Sequence, residues 1–286
     1  MPEFNDTRLA RPEGAGTAYQ VSAGATAIRE TPAPDGRVAT FALHGETVDV
    51  FHEEGEFALV QCRRDRYVGW ALMAALSAPV LEPTHKVSAL RTYAFSQPDI
   101  KSAPHFMLSL GAKVVATGRQ EGVWTECARA GWVHQSHLAP LGQFEDDPAG
   151  VALRFLEAPY LWGGRESLGL DCTGLTQQAF EACGVLLPRD SDMQRAWIGR
   201  EVSQSVQICP ESVALCRGDL VFWRGHVGIL TAPDTLLHAN AYHMMVAEEP
   251  LSEAIERIGK FTGPVLSVRR IDLAAERLKT PGWLKP

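Results

Sequence analysis

The chain opens without hydrophobic periodicity: residues 1–20, with Thr7-Arg8-Leu9-Ala10-Arg11-Pro12 and then Gly14 and Gly16, read as an extended arm. From 21 to 80, apolar side chains alternate or cluster in short runs, as half-buried strands do. The runs are Ala25-Thr26-Ala27-Ile28, Glu46-Thr47-Val48-Asp49-Val50-Phe51 and Phe57-Ala58-Leu59-Val60-Gln61-Cys62. Pro32-Ala33-Pro34-Asp35-Gly36 and Glu53-Glu54-Gly55-Glu56 separate them as turns, and strands this short at this spacing predict a small barrel or sandwich.

Residues 81–143 repeat the order. Gly45-Glu46-Thr47-Val48 matches Gly111-Ala112-Lys113-Val114, Val60-Gln61-Cys62 matches Trp124-Thr125-Glu126-Cys127, and Val68-Gly69-Trp70-Ala71 matches Ala130-Gly131-Trp132-Val133. The Gly-to-Cys interval is 17 in one copy and 16 in the other, whereas Cys-to-Trp is 8 against 5, which an insertion in one hairpin loop absorbs. Two barrels are therefore predicted, with Cys62 and Cys127 as equivalent core thiols. The Gly-Trp near the end of each copy resembles bacterial SH3-like domains.

Beyond Asp146-Asp147-Pro148-Ala149-Gly150 the period changes. Helical spacing is expected at 151–156, 175–182 and 251–258, and strands at 219–223, 226–231, 235–239, 244–247 and 265–270. Helices first and a sheet afterwards predict an α+β domain over 144–286.

Composition narrows the function. Twenty-seven basic against thirty-four acidic residues give a net charge of -7, the wrong sign for gripping nucleic acid. No apolar run approaches the ~20 residues of a membrane helix, and the first residues do not read as a secretory signal. The six cysteines lie singly at 62, 127, 172, 183, 209 and 216, unlike zinc-ligand spacing or a disulfide framework. A reducing, cytoplasmic setting is expected, with no metal or organic cofactor. Cys183, three helical turns beyond Cys172, is expected in the core, and Cys209 and Cys216 share a loop.

Three residues form the candidate chemistry. Cys172, in Asp171-Cys172-Thr173-Gly174-Leu175, opens a helical run after the glycine-bearing Tyr160-Leu161-Trp162-Gly163-Gly164. The positive end of a helix dipole is expected to lower a thiol there from ~8.5 toward the ~3.5–7.5 of reactive cysteines. His226 begins an apolar strand between Gly225 and Gly228, where an imidazole has room to take a thiol proton and return it to a leaving amine. A hairpin centred on Ala232 sets His238 opposite His226, able to hold that ring in one orientation and tautomer. His243 has odd parity from His238 and is expected on the other face.

The combination Tyr-Leu-Trp-Gly-Gly, Asp-Cys-Thr-Gly-Leu and Arg217-Gly218-Asp219-Leu220-Val221-Phe222-Trp223, with His226-Val227-Gly228-Ile229, closely resembles the NlpC family of papain-like cell-wall cysteine peptidases. The resemblance covers about residues 145–275 and implies Cys172 as nucleophile, His226 as base and His238 as orienting residue. Thr173 departs from the family's usual Ser, so its added methyl is expected to crowd a substrate contact.

Two barrels ahead of such a domain look like the subgroup that recycles murein peptides. Those enzymes cut the γ-D-glutamyl–diamino acid bond of short peptides with a free N-terminal L-alanine. The resemblance of Leu187-Pro188-Arg189-Asp190-Ser191 to that subgroup implies that Asp190 pairs with the substrate ammonium, with Arg189 in the same motif. Ser191 and Tyr160 would add contacts and Trp162 would wall the pocket. It also offers Tyr67 and Glu30 of the first barrel as residues closing the site. Without the resemblance, Asp190 or Ser191 reads equally as the N-cap of a helix over 192–198.

Three other readings stay open: an exported wall-lytic endopeptidase, an inert wall-peptide-binding module, and an acyl transferase. Substrate size, thiol reactivity and dependence on an acceptor other than water would respectively separate them.

Overall fold

The structure is a computed structural model and describes residues 6–203 and 214–285. The chain divides into two compact units, Asn5–Phe144 with Arg165–Ser167, and Glu145–Gly164 with Leu168–Pro286.

In the first unit, β1 (Thr17–Val21), β2 (Ala25–Arg29), β3 (Val38–Leu43), β4 (Thr47–Glu54), β5 (Phe57–Cys62), β6 (Val68–Leu72) and β7 (Leu76–Ser77) form one antiparallel sheet in the order β3-β2-β6-β5-β4-β1-β7. Val48 and Val50 of β4 point inward at period two and meet Ile28, Val60 and Cys62 in its core. Structure begins earlier than the sequence pattern predicts. Thr17–Val21 pairs with β4 and β7, and Leu9 is buried with its carbonyl accepting from Gln61 Nε2. Polar residues hid this strand because only its last two positions are buried.

The repeat follows as β8 (His85–Val87), β9 (Arg91–Phe95), β10 (Pro104–Ser109), β11 (Lys113–Val114), β12 (Ala116–Glu121), β13 (Trp124–Cys127), β14 (Gly131–His134) and β15 (Leu138–Pro140). They form sheets ordered β10-β9-β14-β13-β12 and β11-β8-β15. The duplication is visible bond by bond. Gly45 N–H donates to Val21 O at 2.9 Å and Gly111 N–H to Val87 O at 3.0 Å. Both glycines hold positive φ, 77° and 85°, a conformation glycine adopts without a Cβ clash. Cys62 and Cys127 end equivalent strands and are both buried. The extra residues of the first copy lie between β5 and β6, where Cys62 N–H donates to Tyr67 O. Within this unit, β16 (Arg165–Glu166) carries a buried guanidinium to Glu46 at 3.2 Å and to Phe41 O at 2.8 Å.

The second unit holds α1 (Pro148–Leu153), β17 (Gly169–Leu170), α2 (Cys172–Ala182), α3 (Ser191–Trp197), β18 (Arg200–Ser203), β19 (Leu220–Trp223), β20 (His226–Ala232), β21 (Thr235–Asn240), β22 (Met245–Pro250), α4 (Leu251–Thr262), β23 (Ser267–Arg270) and α5 (Leu273–Glu276). Its antiparallel sheet runs β18-β23-β19-β20-β21-β22. The expected α+β architecture is present. α1 starts three residues ahead of the predicted 151, because Pro148 suits a first helical position, where no N–H is needed. α2 packs across β20 and β21, which brings a helix start against a strand more than fifty residues later. Among the described residues, no helix is long and apolar enough to cross a membrane.

Candidate active site

Asp171 is the N-cap of α2 and the most heavily bonded group near its start. Its carboxylate accepts from Gly174 N–H at 2.7 Å, Gly163 N–H at 2.9 Å and Thr173 Oγ1 at 2.9 Å. Arg189, itself buried, donates to both of its oxygens at 3.0 and 2.5 Å. The glycine loop must come this close: a Cβ on Gly174 would stand 2.0 Å from Gly164 O, and one on Gly164 would stand 2.4 Å from Gly169 O. Cys172 is thereby fixed at the first turn, buried, with the backbone N–H groups of Thr173 and Val227 reaching its sulfur. Val227 follows His226 in the chain, so the fold does join the thiol to the predicted histidine strand.

The ring of His226 meets that of His238. Its Nε2 lies 2.7 Å from Nδ1 of His238, with ring centroids 5.0 Å apart. His238 Nε2 lies 2.6 Å from Glu249 Oε1 on β22, and Arg257 of α4 closes an ion pair on that carboxylate. The guanidinium of Arg257 rests 4.3 Å over the Tyr242 ring. Among the described residues, no hydrogen bond yet joins the sulfur to His226, whose Nδ1 is the nitrogen not taken by His238. Resting sites are often looser than the reacting complex.

Two expectations about these residues are corrected. The hairpin register pairs Ile229 with Leu237 and Leu230 with Leu236, so His238 stands opposite Gly228 and meets His226 diagonally. Parity is preserved because the shift is two residues. His243 is not on the far face, because β21 stops at Asn240. A turn follows, in which Asn240 Oδ1 accepts from both N–H and Nδ1 of His243, and the ring lies edge-on to His238 at 6.5 Å.

Electrostatics overturns a third expectation. Burial pushes the Cys172 thiol up to about 12, reinforced by the Asp171 charge and opposed by the Val227 N–H, Arg189 and the Thr173 N–H. Burial likewise pulls His226 down to about 3, helped by the neighbouring His238 and Arg257. Desolvation outweighs the helix start, and the resting pair is neutral thiol and neutral imidazole.

The residues expected at the substrate divide. Tyr160 is half-buried beside the thiol, its hydroxyl pushed up by burial first and then by Cys172 and Asp171. Trp162 is 67% exposed. Arg189 and Thr173 face inward: the Thr173 hydroxyl donates to Asp171 and accepts from Arg189, which makes both part of the helix-start scaffold. Asp190 occupies the N-cap position of α3 without a side-chain capping bond, and Ser191 is its first helical residue; both are half-buried. Glu30 is exposed and Tyr67 buried, both in the first unit. Cys183 is buried as expected, Cys216 is exposed, and Cys209 lies outside the described residues.

Asp171, Glu249 and Arg257 were not singled out from the sequence. Period-two counting along β22 finds Glu249: His238 pairs with Ala247, and Glu249 is two further on the same face. His238, His243 and Glu249 present ligand atoms within 4.8 Å of one another, the one such group among the described residues.

Comparison with known proteins agrees with this geometry. Residues 157–257 match the NlpC/P60 family, and residues 28–76 match the family described as bacterial dipeptidyl-peptidase Sh3 domain. The gamma-D-glutamyl-L-lysine dipeptidyl-peptidase of Bacillus subtilis (strain 168) is 28% identical over 230 residues, covering 72% of this chain and 73% of that protein. Dipeptidyl-peptidase 6 of Lysinibacillus sphaericus is 29% identical over 115 residues, 39% of this chain and only 40% of that protein's length. The crystal structure of an NlpC/P60 family protein from Bacillus cereus ATCC 10987 superposes with a TM-score of 0.72 at 18% identity, covering 89% of this chain and 99% of the other, which establishes the shared fold.

Proposed function

We propose that this chain, an NlpC/P60-family cysteine peptidase, hydrolyses the γ-D-glutamyl–diamino acid bond of short peptidoglycan peptides whose N-terminal L-alanine is free. Its setting in this reading is the cytoplasm, where it recycles peptides already released from the wall. The observation that carries the reading is the convergence of Cys172, His226 and His238 from a helix start and two strands. The long alignment with the Bacillus subtilis dipeptidyl-peptidase supports the choice of bond.

The chemistry follows from the neutral pair. As Sγ of Cys172 bonds to the γ-carbonyl carbon, its proton passes to Nδ1 of His226 and the C=O π pair moves onto oxygen. Backbone N–H groups at the start of α2, including that of Cys172, stabilise the oxyanion. Collapse breaks the C–N bond, and the departing amine takes the proton from His226. Water then attacks the thioester, giving its proton to His226, and the sulfur leaves and recovers that proton. Asp190, whose carboxylate is not used to cap α3, pairs with the substrate ammonium, a pairing that an acylated amine cannot make.

The test compares L-Ala-γ-D-Glu-diaminopimelate with its N-acetylated form and with intact sacculi. Only the first should be cleaved, and Asp190→Ala should erase the preference for the free amine. Equal rates on free and acetylated peptides would remove the substrate assignment and leave the peptidase chemistry standing.

A further inference from the structure

We infer that Glu249, anchored by Arg257, is a positioning residue that fixes where every proton sits in the row of rings ending at Cys172. The inference rests on the peptidase reading above and adds to it a fourth and a fifth residue acting through His238.

The argument is one of donors and acceptors. An ionised carboxylate only accepts hydrogen bonds, and a neutral imidazole has one donor and one acceptor nitrogen. Burial raises the Glu249 carboxyl, but the hydrogen bond from His238 and the Arg257 guanidinium are among the interactions that outweigh it and hold the group below its ordinary value, while burial holds His238 below its own and so neutral. Glu249 is therefore ionised, and the 2.6 Å contact requires the proton on Nε2 of His238. The neutral His238 then has only a lone pair at Nδ1. Across the 2.7 Å contact, Nε2 of His226 must be the donor. That leaves the lone pair of His226 on Nδ1, the nitrogen not engaged by His238 and the one that must receive the thiol proton. One carboxylate thus decides, through two rings, that the nitrogen available to the thiol is a base rather than an N–H.

Arg257 holds that acceptor in place. Its guanidinium carries only donors, pairs with the same oxygen of Glu249, Oε1, that His238 reaches, and is itself seated over Tyr242. In Glu249→Gln an amide oxygen at this place still serves both donors, and the tautomer is kept. Glu249→Leu removes the acceptor: nothing then holds the proton on Nε2 of His238, and a proton on its Nδ1 instead turns the His226 proton to Nδ1, where it blocks proton transfer from sulfur.

The expected results are as follows. Glu249→Leu lowers kcat by about 10²- to 10⁴-fold, the scale of lost tautomer control at an orienting residue, with KM changed by less than about threefold. Glu249→Gln, which keeps an oxygen for both donors, retains a large part of the activity. Nitrogen-15 NMR of the histidine rings should show the proton on Nε2 of His226 in the unsubstituted protein and in Glu249→Gln, and no longer held there in Glu249→Leu. A Glu249→Leu enzyme with unchanged kcat, or a resting protein whose His226 carries its proton on Nδ1, overturns the inference. The second measurement decides even if the variant does not fold. If instead Cys172→Ala retains full activity, it is the peptidase reading that fails.

Discussion

Nδ1 of His238 lies 2.7 Å from Nε2 of His226 although the two residues are not cross-strand partners; Gly228, two residues beyond His226, takes the place opposite His238. The diagonal contact depends on that glycine having no side chain. A Cβ at position 228 would meet Leu236 Cδ1 at 2.6 Å and His238 Cβ at 3.2 Å. Gly228→Ala is expected to push the His238 ring off its partner, costing about 1–3 kcal/mol of stability through overpacking. It should lower kcat at least as much as it lowers Tm would suggest, with little change in KM. Thermal melts beside steady-state kinetics check this, and a variant with unchanged kcat would show that the ring contact tolerates displacement.

A neutral resting pair has a kinetic signature. With the thiol raised to about 12 and His226 lowered to about 3, neither group is charged near neutral pH in the empty site. The iodoacetamide alkylation rate of Cys172 should therefore climb continuously from about pH 5 to 9, following the rare thiolate. A thiolate–imidazolium pair would instead give a flat rate across that interval. A plateau, read against Cys172→Ala to remove the other cysteines, would refute the neutral pair.

The candidate catalytic residues were legible in the sequence because their neighbours are unusual: glycines around Cys172 and His226, and two histidines of equal parity. It carried the second barrel because Gly45 and Gly111 need the same positive φ at the same turn. What it concealed was set by tertiary partners. Nothing local distinguishes Arg189 inside the protein from Arg189 at a substrate, since the choice depends on Asp171, eighteen residues earlier. The thiol's raised value is likewise a burial effect, and the helix-start rule by itself points the other way. The hairpin register escaped by two residues because the turn is made at Pro233-Asp234, beyond the pair Ala232 and Thr235, with an irregularity between Leu230 and Ala232, and is not centred on Ala232. Glu249 required pairing β21 with β22 before parity could be counted.

Chelation should leave turnover unchanged. His238, His243 and Glu249 are close enough to suggest a cation, but tetrahedral binding at about 2.0–2.2 Å per bond sets ligand atoms about 3.3–3.5 Å apart, so His238 Nε2 and Glu249 Oε1, now 2.6 Å apart, would have to separate. It would also displace the proton shared by His238 and Glu249 and set a divalent charge beside Arg257. Enzyme dialysed against EDTA is expected to match untreated enzyme in kcat. Loss of more than about half the activity, restored by added metal, would show that a resident ion belongs there.

Arg189 offers the cleanest separation of scaffold from substrate contact. Its guanidinium is 1% exposed and bound to both oxygens of Asp171, the carboxylate that also gathers the N–H groups of Gly163 and Gly174. Removing it in Arg189→Met leaves a buried charge without its cation, and such broken pairs cost about 3–5 kcal/mol. The helix start then loses its fixed position, so the variant should melt markedly lower, and kcat should fall while KM moves little. A residue that held the substrate would do the reverse, raising KM several-fold at an unchanged melting temperature. Asp171→Asn should resemble Arg189→Met in both readouts, because the two side chains act as one unit. The double variant should be less destabilised than the sum of the singles, since the second substitution removes the charge that the first one stranded.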